Sequence, residues 1–385
     1  MNLLKLFEYE AKQVFASKGI PAPKGVLARD PERAAQAYSD LGSEQVALKA
    51  QVLVGGRGKA GGIRFASSQQ EARSVARELL GSSIKGETVR TILVEPKLKI
   101  VKELYVGVTL DRSKRAPVVV ASSSGGVEIE EAARASPETV KKMWVDPDSG
   151  FPPFQGRRLG AQIGLKSGLL QKFGDIASAL YALFEQYDAE LVESNPLAVT
   201  DGDRLVAADA RLNISDDALY RHTQLELSDE DRLASLSELE KRAHRLGVQY
   251  VELDGDVGVI GNGAGLTMAT LDMVKYFGGN PANFLDAGGG SSQESFASAL
   301  SILNDNPRIK VIFVNILAGI TRCDEVAKAI VEARKTLDPS KKLVIRLSGT
   351  NEEKGKSILS EHSIRAFTDM EQAAREAVRL AGGAQ

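Results

Sequence analysis

The chain has 385 residues, 43% of them hydrophobic and 26% charged, with 49 Lys+Arg against 51 Asp+Glu. That length exceeds one ordinary core, so two or three domains are expected. The near-neutral balance gives no field for nucleic acid or an anionic membrane, so an anion site must be local. The single cysteine, Cys323, excludes an internal disulfide and a multi-cysteine metal site, and fits a reducing compartment. No apolar run approaches the roughly 20 residues of a membrane span. The opening Met1-Asn2-Leu3-Leu4-Lys5-Leu6-Phe7 has neither an arginine-rich transit pattern nor a signal-peptide core, so a cytoplasmic protein is expected.

In the first half, short helices and strands alternate. Glu8 to Lys18 is predicted as a helix stopped by Gly19, and Asp30-Pro31 starts another with a cap and a first-turn proline. Gln45 to Val52 reads as a strand with an inward lysine, Lys49. Ser68-Gln69-Gln70-Glu71 is a capping box opening a helix to Leu80. Thr91–Glu95 is a strand, and Glu103–Asp111 with Pro117–Ser122 a hairpin across Arg112–Arg115. A charged helix follows over 228–247, capped by Ser228 and ended by Gly247, with Leu233, Leu236, Leu239, Ala243 and Leu246 in one stripe. It either bridges two domains or packs on one of them.

From Tyr250 the pattern changes. Apolar runs Val257–Ile260, Ala282–Leu285, Val311–Ile316 and Leu343–Leu347 read as buried parallel strands. Helical stretches Leu266–Phe277, Ser292–Leu303, Asp324–Leu337 and Asn351–Glu361 separate them. This is an α/β, doubly wound parallel sheet of flavodoxin-like size, with ligands expected at the carboxyl ends of its strands. No internal repeat is present.

Three segments carry chemistry. Gly55-Gly56-Arg57-Gly58-Lys59-Ala60-Gly61-Gly62 packs five glycines and two cations into eight residues. Glycine lets backbone N–H groups approach phosphate, although the Gly-Lys-Ser/Thr ending of a P-loop is missing. A flexible hairpin is the plainer reading, and Lys49 weighs against it, because an inward ammonium needs an anion or carboxylate partner. Glu193-Ser194-Asn195-Pro196-Leu197 ends a strand and Val206–Ala210 forms the next, so Asn195 and Asp209 face each other. Such oxygen ligands suit Mg²⁺; the alternative is a turn at Asn-Pro. Gly319-Ile320-Thr321 turns from a strand into a helix, where free N–H groups and the helix dipole favour an anion. Gly261-Asn262-Gly263-Ala264-Gly265 is a weak dinucleotide signal, since Leu266 replaces the last glycine. Cys323 is a packed small hydrophobe, and His222, His244 and His362 occupy surface or linker positions.

These motifs, with Lys102-Glu103-Leu104-Tyr105, occur in the order of an ATP-grasp domain. From end to end the chain resembles the β-subunit family of the nucleoside-diphosphate-forming acyl-CoA synthetases, succinyl-CoA synthetases above all. Phe7-Glu8-Tyr9-Glu10-Ala11-Lys12, Ser123-Ser124-Gly125-Gly126-Val127-Glu128-Ile129-Glu130, Asn262-Gly263-Ala264-Gly265-Leu266 and Asn315 to Asp324 carry the likeness. It implies an ATP-grasp domain over 1–227 with a subdomain at about 21–102, a linking helix over 228–247, and a flavodoxin-like CoA-ligase domain over 248–385. It also implies that Lys49, Gly56, Arg57 and Gly58 contact the phosphates of ATP/ADP (or GTP/GDP). Glu95 and Leu98 would lie at the base and its hinge, and Glu103 at the ribose. Asn195 and Asp209 would hold one Mg²⁺, and Asn262, Gly319, Ile320 and Thr321 would line the site of a small dicarboxylic acid. Glu193 would be catalytic, steering a phosphohistidine that belongs, with most of the CoA site, to a partner α subunit. The implied reaction converts ATP (or GTP), succinate and CoA to succinyl-CoA, nucleoside diphosphate and phosphate. Ala318, where succinate enzymes often have glycine, opens a malate–CoA ligase β subunit as an alternative. A non-catalytic nucleotide-binding subunit is the alternative of another class. Pro21 resembles the adenine-preferring members.

Overall fold

The computed structural model describes residues 3–126, 129, 134, 136–166, 168–222, 225, 233, 236–288 and 293–382. The chain divides into two compact units, Met1–Asp231 and Arg232–Gln385.

The first unit runs β1 (Leu3–Lys5), α1 (Glu8–Ser17), β2 (Val26–Ala28), α2 (Pro31–Leu41), β3 (Val46–Ala50), β4 (Ile63–Ala66) and α3 (Gln69–Leu79). It continues β5 (Ser83–Ile84), β6 (Glu87–Thr88), β7 (Ile92–Pro96), β8 (Ile100–Asp111), β9 (Ala116–Ser122) and β10 (Val140–Trp144). Then come α4 (Pro153–Gln162), α5 (Gly168–Gln186), β11 (Ala189–Thr200), β12 (Leu205–Ala207) and β13 (Arg211–Ser215). An antiparallel sheet has the order β1-β13-β11-β8-β9-β10, with β12 on β11, and a smaller antiparallel sheet the order β2-β7-β3-β4. The expected caps form: Asp30 accepts from the Arg33 N–H and Ser68 from the Glu71 N–H.

Helical periodicity fixes which face of the large sheet is dry. Phe173, Ile176, Leu180 and Leu183 recur every three or four residues along α5 and are buried. They share a core with Leu104, Val106 and Val108 of β8, Val192 of β11, and Leu212 and Ile214 of β13. The intervening residues Tyr105, Gly107, Glu193, Arg211 and Asn213 therefore fall on the other face. An irregularity in β11 between Ser194 and Leu197 resets this alternation. Both Glu193 and Asn195 thus reach the far face, while Leu197 and Val199 return to the core. The motif containing Asn195 therefore lies inside a long strand at this irregularity, not at a strand end as the sequence reading has it.

The second unit comprises α6 (Glu238–Arg245), β14 (Gln249–Glu252), β15 (Val257–Gly261), α7 (Ala264–Tyr276), β16 (Asn283–Asp286) and α8 (Gln293–Asp305). It ends with β17 (Val311–Ala318), α9 (Cys323–Arg334), β18 (Lys342–Gly349), α10 (Glu352–Glu361), β19 (Ala366–Phe367) and α11 (Met370–Ala381). The sheet order is β14-β16-β15-β17-β18-β19, antiparallel only at β14. Along β17, Ile312, Val314 and Ile316 join one core, with Phe296, Val326 and Leu359; Val311 and Phe313 join another, with Val274, Ala377 and Val378. Two dry faces explain the unbroken apolar runs. The edge strands β14 and β19 and the helix α11 were not predicted.

The charged helix differs from expectation. The expected start at Ser228, with Asp229, Glu230 and Asp231, lies outside the described residues. The described helix α6 begins at Glu238, where Ser237 and Glu240 form a reciprocal capping box, and its Ala243 is buried in its own unit. No helix among the described residues is long and apolar enough to cross a membrane.

Candidate functional site

A cavity of about 1050 Å³ opens in the first unit, lined by Lys49, Gly56, Arg57, Gly58, Glu95, Leu98, Glu103, Glu193, Asn195 and Asp209. All the residues assigned by resemblance to nucleotide and metal thus share one cavity.

Its floor is a cluster of three cations and three carboxylates. Lys49, inward on β3 as expected, donates to Glu8 Oε1 at 2.9 Å and to the Ala208 carbonyl at 2.6 Å, and lies 2.8 Å from Glu95 Oε2. Lys12, one turn after Glu8 on α1, is 2.7 Å from Glu8 and donates to both oxygens of Glu95 at 2.6 and 2.8 Å. Arg57 is 7% exposed; its guanidinium binds the Glu8 carboxylate, Asp209 Oδ1 at 2.8 Å and the Ala50 carbonyl at 3.1 Å. Burial alone would raise the Glu8 pKa, but Arg57, Lys12 and Lys49 outweigh it and hold Glu8 well below its ordinary value. Burial likewise works against Lys49, whose pKa Glu8, Glu95 and Asp209 nevertheless raise. Asp209 is pushed up, chiefly by burial, with Arg57 opposing. The expected partners of Lys49 therefore include two internal carboxylates. Glu95 is 1% exposed and committed to Lys12 and Lys49, so its carboxylate belongs to the floor rather than to an open rim.

The glycine-rich turn closes on itself: Gly62 N–H donates to the Arg57 carbonyl at 2.8 Å, and Gly56 has φ +69°. That left-handed backbone favours glycine. Across the cavity, the Gly126 N–H donates to Asn195 Oδ1 at 2.8 Å. A side chain on Gly126 would fall on the Glu103 carboxylate, and one on Gly125 on the Leu104 backbone. This Gly-Gly pair therefore holds Glu103 and Asn195 in one corner; Val127, Glu128 and Glu130 of the same motif lie outside the described residues.

Asn195 and Asp209 carry oxygen atoms that could hold a hard divalent cation. Both line the cavity, and the Asp209 side chain keeps 36% of its surface accessible. One carboxylate plus one amide oxygen leaves the rest of a coordination shell to phosphate and water, the habit of Mg²⁺. Among the described residues no cluster of three or more His, Cys, Asp or Glu side chains could hold a metal.

Beside them, Glu193 accepts from the Tyr105 hydroxyl at 2.9 Å and pairs with Arg211 at 3.5 Å. Burial raises its pKa, while Arg211 and Tyr105 oppose the rise. Asn213 lines the same cavity, 4% exposed, and its Oδ1 has no hydrogen-bond partner among the described residues. Sequence reasoning missed Arg211 and Asn213, and saw Glu8, Lys12 and Tyr105 only as letters of motifs. The available signal was charge at i and i+4 on the buried face of the first helix.

The second unit carries the other expected residues. The chain passes from β15 to β16 on one side and then to β17 on the other, so the carboxyl ends of β15 and β17 flank a topological switch point. Asn262 follows β15; its amide donates to the Leu317 carbonyl at 3.0 Å and accepts from the Leu317 N–H at 2.9 Å. Gly319, Ile320 and Thr321 follow β17, with Gly319 and Ile320 exposed and Thr321 buried. Thr350 ties this turn down: its N–H donates to Ala318 and its hydroxyl to Gly319. Ala318 is 6% exposed and packs in the core. Buried Asp324 in the first turn of α9 gathers Arg322, Asn351 and Lys354, with Arg322 first in holding it below the carboxylate range. Cys323 is buried, as expected. His222 corrects the sequence reading: it is buried in the first unit, 2.8 Å from Asp188.

An ATP-grasp fold followed by a doubly wound CoA-ligase fold, with an acid–base and cation cluster in the former, defines a class. The ATP-grasp domain family matches residues 5–199 and the CoA-ligase family residues 260–380. Within that class the chain belongs to the family of succinate–CoA ligase [ADP-forming] β subunits. It is 51% identical over 384 residues to that subunit of Ignicoccus hospitalis, covering 100% of both chains. It is 48% identical to that of Desulfurococcus amylolyticus, covering 99% of this chain and 100% of the relative. ATP citrate lyase from Methanothrix soehngenii, solved with citrate and coenzyme A, shares the fold at a TM-score of 0.76 and 19% identity, over 98% of this chain and 100% of that one.

Proposed function

We propose that this chain is the nucleotide-binding subunit of a cytoplasmic succinate–CoA ligase, reversibly converting ATP, succinate and CoA to succinyl-CoA, ADP and phosphate with a separate α subunit. The observation that carries the reading is the convergence of Lys49, Arg57, Glu193, Asn195 and Asp209 in one cavity, in a member of a family so named. Residues 1–227 serve as the nucleotide domain, with a subdomain at about 21–102; 228–247 link it to a CoA-ligase domain over 248–385.

Lys49, Arg57 and the turns at Gly56 and Gly58 hold the nucleotide phosphates, Glu95 and Leu98 flank the base, and Glu103 takes the ribose. Asn195 and Asp209 hold Mg²⁺, which when bound neutralises charge on the transferring phosphate. Phosphoryl transfer needs such positioning and charge neutralisation more than a nucleophile on this chain. An incoming phosphate competes with Glu8 and Asp209 for Arg57, so binding exchanges internal ion pairs for ligand ones. A carboxylate is a poor acylating agent and must become an acyl phosphate before thiol attack, and a covalent phosphohistidine on the α subunit divides that difficulty. Glu193 orients that imidazole, while Asn262 and the Gly319–Thr321 turn receive the acid; most of the CoA site lies on the α subunit.

The test is a coupled assay of this chain with its α subunit, across succinate and malate and with ATP and GTP. ADP-releasing acyl-CoA formation with succinate, and none from this chain alone, is expected. Full synthetase activity without the partner would refute the two-subunit reading, and preference for malate the choice of acid.

A further inference from the structure

We propose that Tyr105 is a positioning residue for Glu193, and that Gly107 is glycine so that the Tyr105 ring can lie between them. Tyr105 and Gly107 share one face of β8, two residues apart, and Gly107 pairs directly with Glu193 of the neighbouring β11. Tyr105 is 4% exposed, and its hydroxyl donates to Glu193 Oε2 at 2.9 Å. A Cβ on Gly107 would stand 2.5 Å from that hydroxyl and 3.1 Å from Glu193 Cβ.

Nothing in the backbone calls for glycine here. Gly107 is absent from the positive-φ residues and sits in the middle of a paired strand, where glycine weakens a sheet unless something must approach closely. What approaches is the Tyr105 ring. On the other side Arg211, opposite Glu193 in the register, stands 3.5 Å from Oε1. The two carboxylate oxygens thus have separate partners, which fixes the plane of the carboxylate. The role rests on the reading above, that Glu193 acts in the phosphoryl transfer.

The test uses the complex of this chain with its α subunit and the variants Tyr105→Phe, Gly107→Ala, Glu193→Gln and Tyr105→Phe/Glu193→Gln. Tyr105→Phe should lower kcat about tenfold, the scale of a hydrogen bond to a charged group, with nucleotide KM within about twofold. Gly107→Ala should reproduce this split between kcat and nucleotide KM. In the Glu193→Gln background, Tyr105→Phe should change nothing further. An unchanged kcat in Tyr105→Phe, or losses that multiply in the double variant while Glu193→Gln is itself impaired, would overturn the positioning role alone. Wild-type turnover in Glu193→Gln would instead overturn the role of Glu193, and the positioning role with it.

Discussion

Glu8 and Lys49, 41 residues apart in the chain, meet at 2.9 Å on the cavity floor, and Glu8 also carries Lys12 and Arg57. One carboxylate from the first helix therefore compensates three cations, two of which are the proposed phosphate ligands.

Glu8→Gln should unbalance this cluster. Three cations would face two carboxylates, and breaking a buried pair costs roughly 3–5 kcal/mol. The melting temperature at neutral pH should fall, and added nucleotide should raise it more than in the wild type, because phosphate then compensates the stranded charge. The pH dependence follows from the sign of the shift. Glu8 is held well below its ordinary value of 4.5, so its stabilisation is complete above that value and is lost as pH falls below it. The variant should show a flatter loss in that range. Equal melting curves for the two proteins from neutral to acid pH would remove Glu8 from the argument.

Lys49→Met keeps the apolar stem and removes the charge. Nucleotide affinity should fall by about 1.5–3 kcal/mol, the range of charge-assisted hydrogen bonds. Stability should fall too, since Glu8 and Glu95 each lose a cation. Titration calorimetry and thermal unfolding separate the two effects. Lost stability with unchanged affinity would make Lys49 a purely structural partner.

Asp209→Ala should abolish Mg-nucleotide turnover while shifting unfolding little. Arg57 keeps Glu8 and the Ala50 carbonyl, so its buried guanidinium is not left without a partner. Binding of Mg-nucleotide and of metal-free nucleotide should become equal by calorimetry. Wild-type turnover would sink the metal assignment.

These cases mark what sequence reading reached. Capped helices and apolar runs were legible because each is a local pattern: Asp30-Pro31 opens α2, and the run Val311–Ile316 falls within β17. Lys49 was legible as an inward charge in an apolar strand. Its partners were not, since Glu8 and Glu95 come from other elements and only tertiary register brings them together. The pairing of Tyr105 with Gly107 was invisible for the same reason: each is unremarkable in its own strand and acquires meaning opposite Glu193. The irregularity in β11 was missed because a shift of register leaves no compositional trace beyond Asn-Pro. The short edges β14 and β19 lack a long apolar run, and α11 buries mainly alanines, a faint stripe to read.

The last expectation concerns Asn262, whose amide occupies both backbone groups of Leu317 just before the exposed turn at Gly319. This is a side chain acting as a short piece of strand, and it fixes the level at which the turn begins. Asn262→Asp keeps the acceptor for the Leu317 N–H but loses the donor to its carbonyl. It also sets a negative charge beside a turn proposed to receive a dicarboxylate. The residue is exposed enough for water to replace the lost bond, so stability should change by less than about 1 kcal/mol. The KM for succinate should rise by about tenfold or more, as charge repulsion is added to a displaced turn, while the KM for nucleotide stays within about twofold. Asn262→Ala, without the added charge, should fall between wild type and Asn262→Asp for succinate. Steady-state kinetics of the reconstituted complex read all three. Equal succinate KM values across the series would remove Asn262 from the acid site, and a nucleotide KM that rises in step would show that the change had spread beyond it.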